Sequence, residues 1–301
     1  VTVLTAEDIR RSGARSVPEA LREVPGVSVT QIGAGRWAVG VRGYAGRFSN
    51  KLLVLIDGRS VYSPLFSGVF WEALDVMLED VERIEVVRGP GASLWGANAV
   101  NGVINIVTRK ATASRGGLLS MRLDNQGHPA VAVRQGVELG GAGALRVFAK
   151  GNELAESRSA SGESGVDGNR GWLAGFRMDS AGSGTNAWMV QGNTYRRSNR
   201  ENLQTSAQAG LPLLLPLGAD LEGSSLVGRY TWGLAGGEAS LQGYVDTQRV
   251  EAKNYGTGEV HTADLDFQHR LAPMGAHELM WGLGSRFVQT SIHLSTPVLV
   301  V

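Results

Sequence analysis

Polar and apolar side chains alternate with a period of two along the second half of the chain, from about Gly117 onward. In residues 260–271, Ala263, Leu265, Phe267 and Leu271 share one strand face, and Thr262, Asp264, Asp266, Gln268 and Arg270 share the other. The same pattern recurs in residues 172–180, 224–232, 238–248 and 277–287. The apolar face of such strands meets either the core of a soluble β-sandwich or the lipid around a transmembrane β-barrel. Alternation alone leaves both architectures open.

The lengths of the connections favour the barrel. Short glycine-rich turns are predicted at 140–143, 181–184 and 234–237, and longer polar loops at 153–170, 197–223 and 249–258. Outer-membrane barrels combine short turns on one side with long loops on the other. Tryptophans near the predicted strand ends fit an interfacial aromatic girdle: Trp172, Trp188, Trp232 and Trp281. Core aromatics of a sandwich are the alternative.

About nine strands are expected in this half, whereas bacterial single-chain barrels have an even number. Residues 297–301 carry no strand signal that would close the sheet. We therefore expect an incomplete barrel, the N-terminal part of a longer protein.

Composition narrows the classes of function. The net charge is +1, so no bulk field attracts nucleic acid, and the absence of cysteine excludes disulfides, thiolate metal sites and cysteine nucleophiles. No stretch reads as a helical membrane span or a signal peptide. No phosphate-binding loop is found, the five histidines are scattered, and Asp264 and Asp266 are read as solvated side chains rather than a hydrolase pair. We expect no enzyme, no cofactor and no metal site.

Residues 1–110 follow a different, mixed α/β pattern. Thr5 is expected to cap a helix over 6–11 that stops at Gly13. Ser16 should cap a second helix, with Glu19 as the acid of a capping box, that ends at 25–26. Short strands are predicted at 1–4, 27–30, 38–42, 52–56, 82–87 and 103–108.

Four blocks in this region occur in a characteristic order: residues 16–27 (SVPEALREVPGV), 41–43 (VRG), 55–58 (LIDG) and 88–106 (RGPGASLWGANAVNGVINI). Together they resemble the plug domain of TonB-dependent outer-membrane receptors. Trp95 and Asn101 stand where that family commonly has Tyr and Gly. The resemblance implies an α+β plug domain over residues 1–112, followed over 113–301 by antiparallel strands of a transmembrane β-barrel.

The resemblance also implies a function and a location. The expected protein is a gated receptor in the outer membrane of a Gram-negative bacterium, importing a scarce nutrient such as a ferric siderophore or a similar metal chelate. Its expected partners are that ligand, outer-membrane lipid and the TonB energy-coupling protein, which binds a short box upstream of these residues. A receptor that signals without import, and a soluble all-β carbohydrate-binding or hydrolytic protein, are the alternatives.

Two sets of residues are candidates for function. Polar contacts between plug and barrel can be exchanged for water at modest cost, and these residues are candidates for making them: Arg42, Arg83, Arg88, Arg109, Glu82 and Glu85. They are otherwise solvated plug surface. Two segments, 31–37 and 60–71, look like the apical loops that touch substrate in the family. From them we predict substrate contact by Arg36, Trp37, Tyr62 and Phe66, and internal packing by Phe70 and Trp71.

Overall fold

A computed structural model describes residues 1–43, 45–91, 95–96, 98–182, 186–206, 212–253, 255–273, 275 and 277–295. Two bodies of secondary structure follow one another along the chain. The first comprises two helices and nine short strands, and we call it the plug. The second is a sheet of long antiparallel strands, which we call the wall.

The two helices of the plug begin at the predicted caps. Helix α1 (Ala6–Ser12) starts with a reciprocal capping box between Thr5 and Asp8 and ends at Gly13, whose φ of 68° is left-handed. Helix α2 (Val17–Leu21) is capped by Ser16 and is shorter than predicted, since it ends at Leu21. The Glu19 carboxylate accepts a 2.7 Å hydrogen bond from the backbone N–H of Arg15, not from that of Ser16.

The strands of the plug are β1 (Thr2–Thr5), β2 (Val27–Gly33), β3 (Arg36–Val41), β4 (Leu52–Ile56), β5 (Arg59–Ser60), β6 (Tyr62–Ser63), β7 (Gly68–Val69), β8 (Val81–Arg88) and β9 (Gly102–Thr108). Five of them form a sheet in the order β1-β8-β9-β4-β5, in which β4 and β9 run parallel. Strands β2 and β3 form a separate hairpin. Leu21, Val54, Ile84 and Ile106 lie in the buried core beneath the sheet.

The wall consists of nine strands in the described residues, each paired antiparallel with the next in sequence order. They are β10 (Gly116–Leu123), β11 (Pro129–Glu138), β12 (Ala144–Leu154), β13 (Asn169–Asp179), β14 (Ala187–Ser206), β15 (Pro212–Leu234), β16 (Gly237–Ala252), β17 (Gly256–Arg270) and β18 (Met280–Leu294). The α+β unit followed by nine antiparallel strands confirms the predicted fold class.

Connections in the wall agree only partly with the prediction. The turns after β11 and β15 and the long loop between β12 and β13 are confirmed. Of the turn expected at 181–184, Ser183 and Gly184 lie outside the described residues, as do residues 297–301. The long loops expected at 197–223 and 249–258 are wrong in the described residues. Strands β14 and β15 stay paired from Ala187↔Thr231 to Ser206↔Pro212, and residues 207–211 lie outside the described residues. Strands β16 and β17 leave only residues 253–255 between them. Residues 197–206, 212–223, 249–252 and 256–258 thus belong to strands.

The outer face of the wall is apolar and exposed. Met121, Leu265, Phe287 and Leu283 expose between 53% and 75% of their surface on this side. Near one end of the strands, Tyr230, Trp232, Phe267 and Trp281 form a chain of rings with centroids 5.3–6.1 Å apart. An exposed apolar surface that continues across neighbouring strands marks a face that meets another apolar phase.

Trp172 and Trp188 mark two levels of this outer face. Trp172 pairs with Arg196 of β14, and Trp188 lies eight residues earlier on the same strand. That separation is roughly 27 Å along the strand at about 3.4 Å per residue. At the tilt of about 35–45° usual in outer-membrane barrels, this separation corresponds to a height of roughly 19–22 Å, somewhat less than their apolar band of about 25 Å. Within the part of the chain that the structure describes, no helix is long and apolar enough to cross a membrane.

Candidate functional site

The plug lies against the inner face of the wall, and their contact is dominated by charged and polar side chains. Asp57 is held in the turn between β4 and β5 with a left-handed φ of 49°, where its carboxylate accepts hydrogen bonds from the backbone N–H and Oγ1 of Thr108 at 2.9 and 2.7 Å. From the wall, Gln191 donates to the same carboxylate at 3.0 Å, and Arg229 donates to the Asp57 carbonyl at 2.8 Å. The Arg177 guanidinium forms a 3.4 Å ion pair with the Asp57 carboxylate.

Asp80 makes a second contact of the same kind. It is 2% exposed at the end of a 3₁₀ turn, Leu78–Asp80, and accepts a 2.7 Å hydrogen bond from Arg134 Nη1 of β11. Arg146 of β12 forms a 3.2 Å ion pair with the other carboxylate oxygen and donates to the Arg109 carbonyl at 2.7 Å. A buried plug carboxylate is thus neutralised by cations from two wall strands.

Asp75 makes a third. Its carboxylate accepts a 2.7 Å hydrogen bond from Lys150 Nζ of β12 and another from Arg197 of β14. Burial alone would raise the pKa of Asp75, but attraction to these two cations outweighs it and holds the pKa below the ordinary value. Asp75 is therefore ionised at neutral pH.

At a fourth contact the polarity is reversed, because the wall supplies the carboxylate. Glu201 of β14 accepts hydrogen bonds from both terminal nitrogens of Arg47 at 2.7 and 2.9 Å and forms a 2.7 Å ion pair with Arg36 of β3. Arg47 also donates to Glu72 at 2.9 Å. Burial raises the pKa of Glu72 despite this partner, and its Oε2 atom has no hydrogen-bond partner among the described residues.

Two further polar contacts join the segment after β4 to β16. Arg59 pairs with Asp246 at 2.5 Å, and the Ser63 hydroxyl donates to Gln248 Oε1 at 2.5 Å. Beside them is an apolar contact: Phe66 packs on Phe48 and Phe70 with ring centroids 4.9 and 4.1 Å apart, and this group contacts wall residues Tyr195, Leu221 and Val250.

Four of the six charged residues proposed from the sequence for plug–barrel contact take partners within the plug. Arg83 pairs with Glu82 at 2.7 Å and with Glu85 at 2.6 Å, all within the plug. Arg88 donates to the Pro25 carbonyl at 2.9 Å, and Arg42 is exposed with a left-handed φ of 62°. Arg109 meets the wall through its backbone carbonyl. Barrel contacts by the side chains of all six residues stay a prediction.

A cavity of about 930 Å³ lies between the plug and strands β10–β12 of the wall, and the loop after β12 and Arg197 of β14 also line it. The plug lines it with the β2–β3 hairpin, including Gly33, Gly35 and Trp37, and the wall lines it with Lys150, Asn152 and residues 155–158. Many of its charges are already paired, as at Asp75. In the described residues no group of three or more His, Asp or Glu side chains could hold a metal ion.

The four side chains predicted to contact substrate lie in two places. Trp37 lines the cavity but is only 4% exposed, packed in the plug core under the Arg22 guanidinium. Arg36 is paired with Glu201. Tyr62 borders a smaller cavity of about 50 Å³ that includes Tyr195 and Gln248. Phe66 packs against the wall as described above. Trp71 is buried in the plug core, as expected, whereas Phe70 is buried in the cluster that contacts the wall.

Sequence reasoning missed the plug carboxylates that meet the wall, Asp57, Asp75 and Asp80. Asp57 stood inside a recognised block without an assigned role. A usable signal lay in the wall, where inward-facing strand positions carry many cations: Arg134, Arg146, Lys150, Arg177, Arg197 and Arg229. Buried cations of this density require carboxylate partners.

Comparison with known proteins agrees with this architecture. Residues 1–103 match the model of the TonB-dependent receptor plug domain. The vitamin B12 transporter BtuB of Vibrio cholerae is 35% identical over 181 residues, which cover 60% of this chain and 29% of that protein. The ferric enterobactin receptor PirA of Pseudomonas aeruginosa is 36% identical over 127 residues, covering 37% of this chain and 17% of that protein.

Solved structures share the fold of the whole described chain. A mutant of the ferric enterobactin receptor PfeA of Pseudomonas aeruginosa superposes with a TM-score of 0.72 at 19% identity, covering 97% of this chain and 49% of that one. The siderophore receptor PirA of Acinetobacter baumannii gives 0.71 at 17% identity, with 97% and 48% coverage. The chain thus spans less than a third of the sequence relatives and about half of these structures.

Proposed function

We propose that this chain, which belongs to the TonB-dependent receptors of the Gram-negative outer membrane, has an import function. It forms the gated entry of a receptor that takes up a scarce metal-containing nutrient. The proposed nutrient is a ferric siderophore or a similar metal chelate, and this class includes corrinoids. TonB is the proposed energy-coupling partner. The plug is assigned to residues 1–112 and the barrel part to 113–301.

The polar contact between plug and wall is the observation that carries this proposal. Asp57 and Asp80 are buried and the Asp75 side chain is 11% exposed, yet their partners on the wall are side chains that water can replace. An apolar seal would lose its hydrophobic stabilisation on opening, whereas released ions regain hydration. A plug held in this way is stable at rest and can still be displaced by an applied force.

The cavity supports a ligand of small-molecule size. Pockets for such ligands typically measure about 300–1,000 Å³ and combine apolar surface with a few polar groups. The cavity beside the β2–β3 hairpin lies at the upper end of that range. It suits a bulky chelate better than a simple sugar or amino acid.

We place the ligand against the hairpin and the neighbouring plug segment, with contacts from Arg36, Trp37, Tyr62 and Phe66. Support for this placement differs among the four. Trp37 lines the large cavity and Tyr62 the small one. Arg36 offers a cation, although an anionic ligand would compete with Glu201 for it. Phe66 has the weakest case, because its ring packs on the wall.

Uptake by whole cells tests the proposal. A strain lacking the gene would be complemented with the full-length protein and given radiolabelled cyanocobalamin or ferric enterobactin, with and without a functional tonB gene. We expect saturable accumulation of at least one probe that requires both the receptor and TonB. Surface binding without accumulation would instead indicate a signalling receptor, and no binding of either probe would contradict the proposed ligand class.

A further inference from the structure

The tip of the β2–β3 hairpin of the plug is docked on the long loop between β12 and β13. Asp167, near the end of this loop, is 4% exposed. Its Oδ2 atom accepts a 2.8 Å hydrogen bond from the backbone N–H of Ala34 at the hairpin tip. The same carboxylate accepts hydrogen bonds from the backbone N–H and the hydroxyl of Ser157 at 2.7 and 2.8 Å. One side chain therefore closes the base of the loop and ties it to the plug.

The backbone conformation beside Asp167 indicates that the sequence favours this position of its side chain. Val166, directly before Asp167, has a φ of 47°, in the left-handed region that a β-branched residue adopts only with backbone strain. Burial alone would raise the pKa of Asp167, but the hydrogen bonds from the N–H groups of Ser157 and Ala34 outweigh the effect of burial. The pKa is therefore lowered, and the carboxylate is anionic at neutral pH. An anionic acceptor makes these hydrogen bonds stronger than neutral ones.

An independent contact fixes the same tip. Gly35 has a left-handed φ of 72°, and a Cβ at this position would lie 3.1 Å from the Asn169 side chain and 3.2 Å from Leu154. These two residues are the first of β13 and the last of β12. Asn169 in turn accepts a 2.7 Å hydrogen bond from Arg197, the residue that binds Asp75. The hairpin tip thus fits between the ends of two wall strands.

Both joined segments line the large cavity. The hairpin contributes residues 31–35, and the loop contributes residues 155–158 together with Asp167. The relative position of the two segments therefore determines the shape of that side of the cavity.

We propose that Asp167 is a positioning residue for ligand binding, which holds the hairpin tip and the loop 155–168 together as one rigid edge of the cavity. This inference rests on the proposed function for the ligand, but the tether itself does not depend on it. Displacing either segment should loosen the other. A ligand that contacts both should lose affinity when they are uncoupled.

The test compares Asp167→Ala and Asp167→Asn with Glu163→Gln in the full-length receptor. The control removes one negative charge from the same loop, at an exposed residue. Amide hydrogen exchange would be followed in residues 31–37 and 155–168, together with affinity for cyanocobalamin and for ferric enterobactin. A fourth variant, Gly35→Ala, disturbs the tip from the plug side without changing charge.

In Asp167→Ala we expect about tenfold faster exchange in the hairpin and at least about tenfold weaker binding of whichever probe the wild type binds, since hydrogen bonds to a charged group are lost. Asp167→Asn should be intermediate, because its amide oxygen can still accept, and Glu163→Gln should match the wild type within about twofold. Gly35→Ala should speed exchange in the loop.

Three results would overturn the inference. The first is faster exchange in the loop alone after Asp167→Ala, which would show that Asp167 stabilises only its own loop. The second is a mobile hairpin with affinity unchanged, which would remove the role in binding. The third is equal affinity loss in Glu163→Gln, which would point to net charge rather than position. If the wild type binds neither probe, the proposed ligand class fails, and the exchange data alone still decide the tether.

Discussion

Lys150 Nζ of wall strand β12 donates a 2.7 Å hydrogen bond to Asp75 Oδ1 of the plug, 75 residues earlier in the chain. Arg197 of β14 binds the other oxygen of the same carboxylate. One plug residue thus spans two wall strands that are not adjacent. This arrangement makes Asp75 the contact at which the hold of the wall on the plug can be measured most simply.

Asp75→Asn should weaken the docked plug more than Lys150→Met. The first leaves two buried cations without a counter-charge, which costs about 3–5 kcal/mol, whereas the second leaves Asp75 paired with Arg197. The measurement is the urea dependence of amide exchange in plug peptides of the full-length receptor. Equal effects of the two substitutions would show that the ion pair between Arg197 and Asp75 does not stabilise the docked plug.

Acid should release the plug through the same residue. The folded-state pKa of Asp75 lies below its ordinary value of 3.8, so its contribution is fully present above that pH and is lost as the pH falls through the folded pKa. Wild-type plug stability should therefore fall below about pH 3.8 more steeply than that of Asp75→Asn. Parallel pH profiles of the two proteins would contradict this assignment.

Glu72→Gln should behave in the opposite way. Burial raises the folded-state pKa of Glu72 above its ordinary value of 4.5, so ionisation of this residue costs stability as the pH rises through that window. The neutral amide removes the cost, and Arg47 keeps its two hydrogen bonds to Glu201. At pH 7 we expect Glu72→Gln to unfold at a urea concentration equal to or above that of the wild type. A clear loss of stability would mean that the Arg47 ion pair dominates.

Charge on the two faces of β17 should have different effects. Leu265 is 53% exposed on the outer face, so Leu265→Arg near mid-strand should cost about 2–4 kcal/mol in lipid. Thr262 lies on the inner face, opposite Asp246, where an arginine can find a counter-charge and water. Thr262→Arg should therefore cost much less, as measured by unfolding of the receptor in lipid vesicles. Similar costs on both faces would contradict a membrane barrel.

Local signals in the sequence were enough to predict most elements. The strand at Leu52–Ile56 is found at its predicted bounds, because a short, uniformly apolar run between turn residues has few alternatives. The caps at Thr5 and Ser16 and the turn after Leu234 are likewise set by neighbouring residues. The ends of β14 to β17 could not be predicted, since strands that leave the membrane need no apolar face.

The contacts of the candidate site depended on information that the local sequence does not carry. Asp57 meets Gln191 and Arg229, which lie more than 130 residues away, and no local rule identifies such partners. The charges at Glu82, which is exposed, and at Arg83 and Glu85, which are half-buried, were more conspicuous in the sequence than the buried carboxylates. Burial in the assembled interface, rather than residue type, distinguishes the two groups.

A reversible covalent lock between plug and wall tests the central claim that the plug is a gate. The chain has no cysteine, so Ser63→Cys with Gln248→Cys introduces one thiol pair at a position where the native side chains are in hydrogen-bond contact at 2.5 Å. The pair would be joined by oxidation or by a short thiol cross-linker, with the two single-cysteine variants as controls. We predict that locking abolishes uptake of the transported probe, that reduction of the oxidised pair restores it, and that the controls transport normally. Undiminished uptake by a receptor shown to be fully cross-linked would contradict the account.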